Sequence, residues 1–280
     1  MIKGMDYLER ARRVFETEIT EVSSVAARLD ERFIQAVDLI KAAVERRNKV
    51  VVLGVGKSGH IGDKIAATLT STGSTAVVLN SLNALHGDLG IVAEGDVVLA
   101  LSQSGETQEL LSILPAIVRF GLPVIAITGN SNSTLAKSAA VVLDVSVTQE
   151  ACPLNLAPTS STTAMLVLGD ALAMVLLEAR GFQKEDFAKF HPGGKLGAQL
   201  LRVHEVMEQD NLPLLSFSAG MDEVLLELTG KNKGCVGFTD AGGTLVGIFT
   251  DGDLKRRLTP DLLARPAAAM FSPAPKTIGP

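Results

Sequence analysis

The chain has 280 residues, enough for one substantial core plus a smaller second one. It is 46% hydrophobic, 20% charged and only 4% aromatic with no Trp, and its formal net charge is −5. That balance argues against nucleic acid, since rings for base stacking are scarce and no basic run is longer than Lys255-Arg256-Arg257. The two cysteines, Cys152 and Cys235, lack metal or redox spacing and read as free thiols. Residues 1–13 carry Asp6 and Glu9 and do not read as a signal peptide, so a cytoplasmic protein that binds no membrane is expected.

Between residues 5 and 47 apolar side chains recur at helical spacing, from Leu8, Val14, Val22, Val25 and Leu29 to Phe33, Val37, Ile40 and Val44, which predicts two amphipathic helices. Lys49-Val50-Val51-Val52-Leu53 then reads as a buried strand that turns through glycines into a helix over 59–72. Strands follow at 76–79, 97–101, 124–128 and 141–145, with a helix over 110–120. Strands alternating with helices define an α/β fold, a doubly wound parallel sheet flanked by helices. Residues 159–181 read as one long helix; its apolar stretch at 164–179 is interrupted by Asp170 and is expected to be buried rather than to cross a bilayer.

A smaller C-terminal α/β unit is expected over 203–276, after a first domain over 1–200. Its helix is predicted at 221–229, its strands at 234–238 and 245–249, and a second helix opens at Thr250-Asp251-Gly252-Asp253-Leu254. Glu205-Val206-Met207 followed by Pro213 is echoed by Ala268-Ala269-Met270 followed by Pro273, as though a second copy of this unit were beginning.

In doubly wound sheets, ligands bind beyond the carboxyl ends of the strands. Gly54-Val55-Gly56-Lys57-Ser58-Gly59 sits at one such end and matches a dinucleotide fingerprint. No Asp or Glu lies between Asp63 and Asp88 to hold a ribose, however, and Val51 stands where a P-loop needs glycine. What remains is a loop of close backbone approach that offers a cation, Lys57, and a hydroxyl, Ser58. Ser102-Gln103-Ser104-Gly105-Glu106-Thr107 ends another strand and opens a helix. Three hydroxyls, an amide and a helix start suit a phosphomonoester without metal, whereas an ordinary helix cap needs only one such residue.

These two loops at successive strand ends resemble the sugar isomerase (SIS) domain. His86-Gly87-Asp88-Leu89-Gly90, Glu150-Ala151-Cys152-Pro153, Pro158-Thr159-Ser160-Ser161-Thr162-Thr163 and His191-Pro192-Gly193-Gly194 are similar to the arabinose-5-phosphate isomerase group in particular. Gly247-Ile248-Phe249-Thr250-Asp251-Gly252-Asp253-Leu254 resembles one cystathionine β-synthase (CBS) motif of a usual pair, here incomplete. The resemblance implies interconversion of D-ribulose 5-phosphate and D-arabinose 5-phosphate through an enediolate, the sugar supply for the eight-carbon acid Kdo of lipopolysaccharide or capsule.

For site residues the resemblance implies Ser102, Gln103, Ser104 and Thr107 at the phosphate, with Ser58, Gly73, Ser74 and His86 also binding substrate. Lys57 is expected to stabilise the enediolate oxygen. Glu150 is preferred over Glu109 as the base because it stands at a strand mouth before a Pro-containing loop; Glu109, in the first turn of a helix, suits the helix dipole equally well. His191 has the chemistry for ring opening or proton shuttling.

No cofactor is expected and no metal is required, since four scattered histidines make no zinc site and only His86 offers a place for a stray divalent ion. The helices before the first strand suggest a homo-oligomer, a tetramer, in which His191 can serve a neighbouring subunit's site. A regulatory nucleotide or nucleotide sugar is the ligand implied for the CBS-type unit. Two readings compete: an isomerase of another sugar phosphate, such as a hexulose phosphate, and a non-catalytic sugar-phosphate sensor. The sensor leaves Lys57, Glu150 and His191 without a task.

Overall fold

The computed structural model describes residues 6–191 and 203–279. The chain forms two compact units that divide at residues 200/201.

The first unit is built on five parallel strands: β1 (Val50–Gly54), β2 (Ala76–Val78), β3 (Val97–Leu101), β4 (Val124–Thr128) and β5 (Val141–Asp144), in the order β2-β1-β3-β4-β5. Successive side chains of a strand point to opposite faces, and the two cores follow from that alternation. Val50, Val52, Val97, Leu99, Leu101, Ile125 and Ile127 face one side. There they pack against α1 (Tyr7–Ala27), α2 (Glu31–Glu45), α3 (Gly56–Ser71) and α8 (Ser160–Ala179). Val51, Leu53, Val98, Ala100, Val124 and Ala126 face the other. That side is covered by the short helices α4 (Ser81–Ala84), α5 (Gln108–Leu111), α6 (Leu114–Arg119) and α7 (Thr134–Ser138).

The strands predicted from apolar runs lie within a residue of those observed. The helix predicted over 110–120 is two helices, because Pro115 in the first turn of α6 has no N–H to carry α5's hydrogen-bond ladder onward. Helix α8 is long and apolar enough to cross a membrane by length and composition, yet it packs against α1, α2 and α3. Asp170, which interrupts its apolar run, pairs with Lys64 of α3. Of α1's apolar residues only Val25 is buried and Val22 half-buried; Leu8, Phe15 and Ile19 are exposed, so most of this stripe finds no cover among the described residues.

Helix α9 (Lys184–Phe190) ends the described part of the first unit. In the second unit, β6 (Leu214–Ser216) pairs in parallel with β7 (Cys235–Thr239), which pairs antiparallel with β8 (Leu245–Thr250), and β8 with β9 (Ser272–Pro273). Helix Met221–Lys231 covers this sheet, and Phe238 and Phe249 fill a separate core. Helix Asp251–Arg257 opens with a capping box in which Thr250 and Asp253 bond each other's backbone N–H groups.

The turn from β1 into α3 rests on glycine. A Cβ on Gly54 would lie 2.9 Å from Gly59 Cα, and one on Gly59 would lie 3.0 Å from the Gly54 carbonyl oxygen. Gly56, by contrast, has φ +58° and open space around it. Gly54→Ala is therefore expected to destabilise the protein by about 1–3 kcal/mol, because backbone has to move. Gly56→Asn, whose side chain tolerates left-handed backbone, is expected to cost less. Urea denaturation of the two variants checks the order.

Candidate active site

The carboxyl ends of the five strands lie along one edge of the sheet, and the order changes direction between β1 and β3. Gly54 and Leu101 are register partners, so the first glycine loop and the 102–107 loop leave the sheet side by side. A cleft of about 230 Å³ opens at this edge. It is lined by Gly54, Gly56, Gly59, His60, Asp63, Asn80, Ser81 and Glu109, among others. Lys57 and Ser58 lie in the first turn of α3 between lining residues, and Lys57 is exposed with no ion-pair partner among the described residues.

Within the 102–107 loop the predicted ligands divide into two kinds. Ser102 is 2% exposed; its hydroxyl lies 2.8 Å from that of Thr107 and accepts the Gly105 N–H at 3.0 Å. Both hydroxyls hold the loop's shape. Gln103 likewise turns inward: its amide lies over Gly129, and its Oε1 is buried without a partner among the described residues. Gly105 has φ +66°, and Ser133 occupies the space a Cβ would need. Glu106 accepts the Thr134 N–H at 2.8 Å, and that backbone bond, with Thr134's hydroxyl, holds its carboxyl below the usual range. Ser104 is the serine left exposed, its Oγ accepting only the Glu106 N–H at 3.2 Å.

Gly73 and Ser74 stand away from this cleft. They precede β2 and so lie at the amino end of the sheet, opposite the cleft. Ser74 is fully buried, and Arg180 donates to the Gly73 carbonyl at 2.6 Å and to Ser74 Oγ at 3.1 Å. Their role is to tie α3 and β2 to the end of α8.

The two candidate glutamates have opposite surroundings. Glu109 is exposed in the first turn of α5 and lines the cleft. Glu150 does not line it. Its Oε2 accepts the Thr159 N–H at 2.7 Å, the Thr159 hydroxyl at 3.0 Å and the Ser161 N–H at 3.2 Å, while Oε1 takes the Ser161 hydroxyl. Burial pushes the Glu150 carboxyl up, but the bonds from Ser161 and Thr159 outweigh it and hold the pKa below the ordinary 4.5. The carboxylate thereby caps the start of α8.

His191 closes α9, its ring stacked on Phe187 at 3.8 Å between centroids. Its Nδ1 lies 2.9 Å from the Phe187 carbonyl oxygen, which can only accept, so Nδ1 carries a proton and Nε2 is left to accept one. Pro192, Gly193 and Gly194 lie outside the described residues. Phe190 shares one groove with Asp63 and another with Gly73 and Arg180, and His191 is not part of the cleft wall. His86 is exposed in the turn after α4 and is not part of the cleft wall. Sequence reasoning missed Asn80 and Ser81, although Asn-Ser directly after a strand at the carboxyl edge is a helix-start signal pointing to a ligand loop.

The sheet and its cleft define a SIS domain: residues 44–175 match the SIS domain family model. A solved Escherichia coli CFT073 protein in complex with arabinose 5-phosphate superposes with a TM-score of 0.64 at 37% identity, covering 67% of this chain and all of that one. Arabinose 5-phosphate isomerase KdsD of Pseudomonas aeruginosa is 51% identical over 260 residues, 92% of this chain and 79% of that protein. Arabinose 5-phosphate isomerase GutQ of Escherichia coli K12 is 46% identical over 90% of this chain and 78% of its own length. The chain belongs to the arabinose 5-phosphate isomerase family.

The depressed pKa of Glu150 carries a sign. A carboxyl whose folded pKa lies below its unfolded value stabilises the fold above the unfolded value, and that contribution is lost as pH falls through the folded one. Glu150→Gln is expected to lower the thermal midpoint at pH 7, with the deficit shrinking below about pH 4.5 as the wild-type carboxyl protonates. Melting curves of both proteins from pH 7 to pH 3 test this.

Proposed function

We propose that this chain interconverts D-ribulose 5-phosphate and D-arabinose 5-phosphate and so supplies the sugar for Kdo. The observation that carries the reading is a free carboxylate, Glu109, in a switch-point cleft of a chain 51% identical to a named arabinose 5-phosphate isomerase.

The Ser104 hydroxyl and the N–H groups of Ser104 and Thr107 hold the phosphate, with Ser58 beside them. His191, serving a neighbouring subunit's site, takes the anomeric hydroxyl proton at Nε2 and returns it to the ring oxygen as the cyclic sugar opens. Glu109 removes the proton from C2 of the open aldose. Electrons move into the C1–C2 bond, and the enediolate oxygen that forms is met by the Lys57 ammonium. A proton passes from the C2 hydroxyl to the C1 oxygen, and returning the abstracted proton to C1 leaves the ketone at C2. Glu150 keeps α8 and the loop before it in place rather than moving protons. This reverses the preference between the glutamates that position along the chain favoured.

The exposed apolar face of α1 supports a homo-oligomer, read as a tetramer. A cytoplasmic location belongs to the same reading. The second unit is read as CBS-type, with the Thr250–Asp253 capping box in its motif, and a nucleotide or nucleotide sugar is its expected ligand.

Arabinose 5-phosphate incubated in deuterated water is expected to yield ribulose 5-phosphate, with deuterium at C1 of the ketose and C2 of recovered aldose by NMR. Binding without turnover would point to a sensor, and turnover of a hexulose phosphate instead would change the substrate. Glu109→Gln is expected to lower kcat by about 10²–10⁴-fold, and Ser104→Ala chiefly to raise KM. A folded but inactive Glu150→Gln beside an active Glu109→Gln would restore Glu150 as the base.

A further inference from the structure

We propose that Ser81 binds a secondary hydroxyl of the sugar, with Asn80 beside it, and so helps decide which sugar phosphate is accepted. The proposal rests on the isomerase reading above and deepens it.

Ser81 follows β2 at the carboxyl edge of the sheet and lines the cleft that also holds Glu109. It is 3% exposed, and its hydroxyl has no hydrogen-bond partner among the described residues. Buried hydroxyls in folded proteins are paired almost without exception, so an orphan beside a cleft points to a partner that arrives with the ligand. Such a hydroxyl can both donate and accept, which suits another hydroxyl.

Asn80 supplies the second half of the argument. Its Oδ1 accepts the Leu82 N–H at 2.9 Å and the Asn83 N–H at 3.2 Å. Those two bonds fix the amide plane and leave Nδ2 to donate outward. Asn80 and Ser81 are neighbours on the wall of one cleft.

The charge of that wall decides what kind of group is taken. Asp63 and Glu109 line the same cleft, with His60 3.8 Å from Asp63, and the two carboxylates disfavour a further anion there. The phosphate therefore stays with the 102–107 loop, and the Asn80–Ser81 wall takes neutral hydroxyls at C3 or C4. A site that holds a substrate hydroxyl with buried polar groups rejects an analogue lacking it, because its own group is then left unpaired.

The test compares wild type with Ser81→Ala on arabinose 5-phosphate and on its 3-deoxy and 4-deoxy analogues, measuring kcat/KM, calorimetric Kd and thermal midpoint. For the natural sugar, kcat/KM is expected to fall by about 5- to 10-fold, chiefly through KM. One deoxy analogue is expected to be nearly indifferent to the substitution, so its disadvantage in the wild type shrinks by the same factor. The midpoint is expected to hold or rise, since alanine removes an unpaired buried hydroxyl. Unchanged selectivity against both analogues, or a lowered midpoint with unchanged kinetics, would overturn the proposal. A wild type that binds the sugar without turning it over would sink the isomerase reading instead, and the Kd comparison would still decide the role of Ser81.

Discussion

The first unit depends on two backbones touching without side chains between them. Gly54 ends β1 and Gly59 lies in the first turns of α3, and neither has room for a Cβ. Because the strand passes so directly into the helix, Lys57, Ser58 and His60 stand at the carboxyl edge instead of one turn farther out. The register of Gly54 with Leu101 then sets the 102–107 loop beside them. Two loops distant in sequence thus share one edge because β1 and β3 are neighbours, with β2 outside.

The same edge sorts carboxylates by their surroundings. Glu150 spends both oxygens on the first turn of α8. Glu21, buried on α1, accepts from the Thr148 N–H at 2.9 Å and from its hydroxyl, and so fastens the segment just before Glu150. That segment is therefore held at both ends by carboxylates that accept backbone N–H groups. Glu109 stands outside this network, in the cleft. One acid is fixed by donors and the other stands exposed at the cleft, so identical side chains meet different surroundings.

Much of the frame was legible in the chain. Apolar runs of four or five residues mark β1, β3, β4 and β5 because a parallel strand is buried on both faces, and glycine and serine clusters mark their ends. Ser102 and Thr107 show the limit of such reading. A hydroxyl that binds phosphate and one that binds its own loop are the same letter, and the 2.8 Å contact between these two appears only in the fold. Gly73 and Ser74 are placed by topology: resemblance selects residues, whereas the direction of β2 decides which edge of the sheet they meet. Glu150 looked available from its position before a proline, and the donors that occupy it come from Thr159 and Ser161 beyond that loop.

Commitment of polar atoms thus separates the residues that shape the edge from those that can act on a ligand. Ser102, Thr107, Glu106 and Glu150 all have partners within the chain. Among the described residues Lys57 finds no ion pair, the Ser81 hydroxyl finds no hydrogen bond, and His191 has one ring nitrogen engaged and one available. A fold that leaves a buried hydroxyl unpaired gives up stability that pairing would have supplied. Placed in the cleft, the same hydroxyl makes that loss recoverable only when a ligand with a matching group enters. Selectivity for the sugar then comes from the unpaired atoms, while the paired ones fix where those atoms stand.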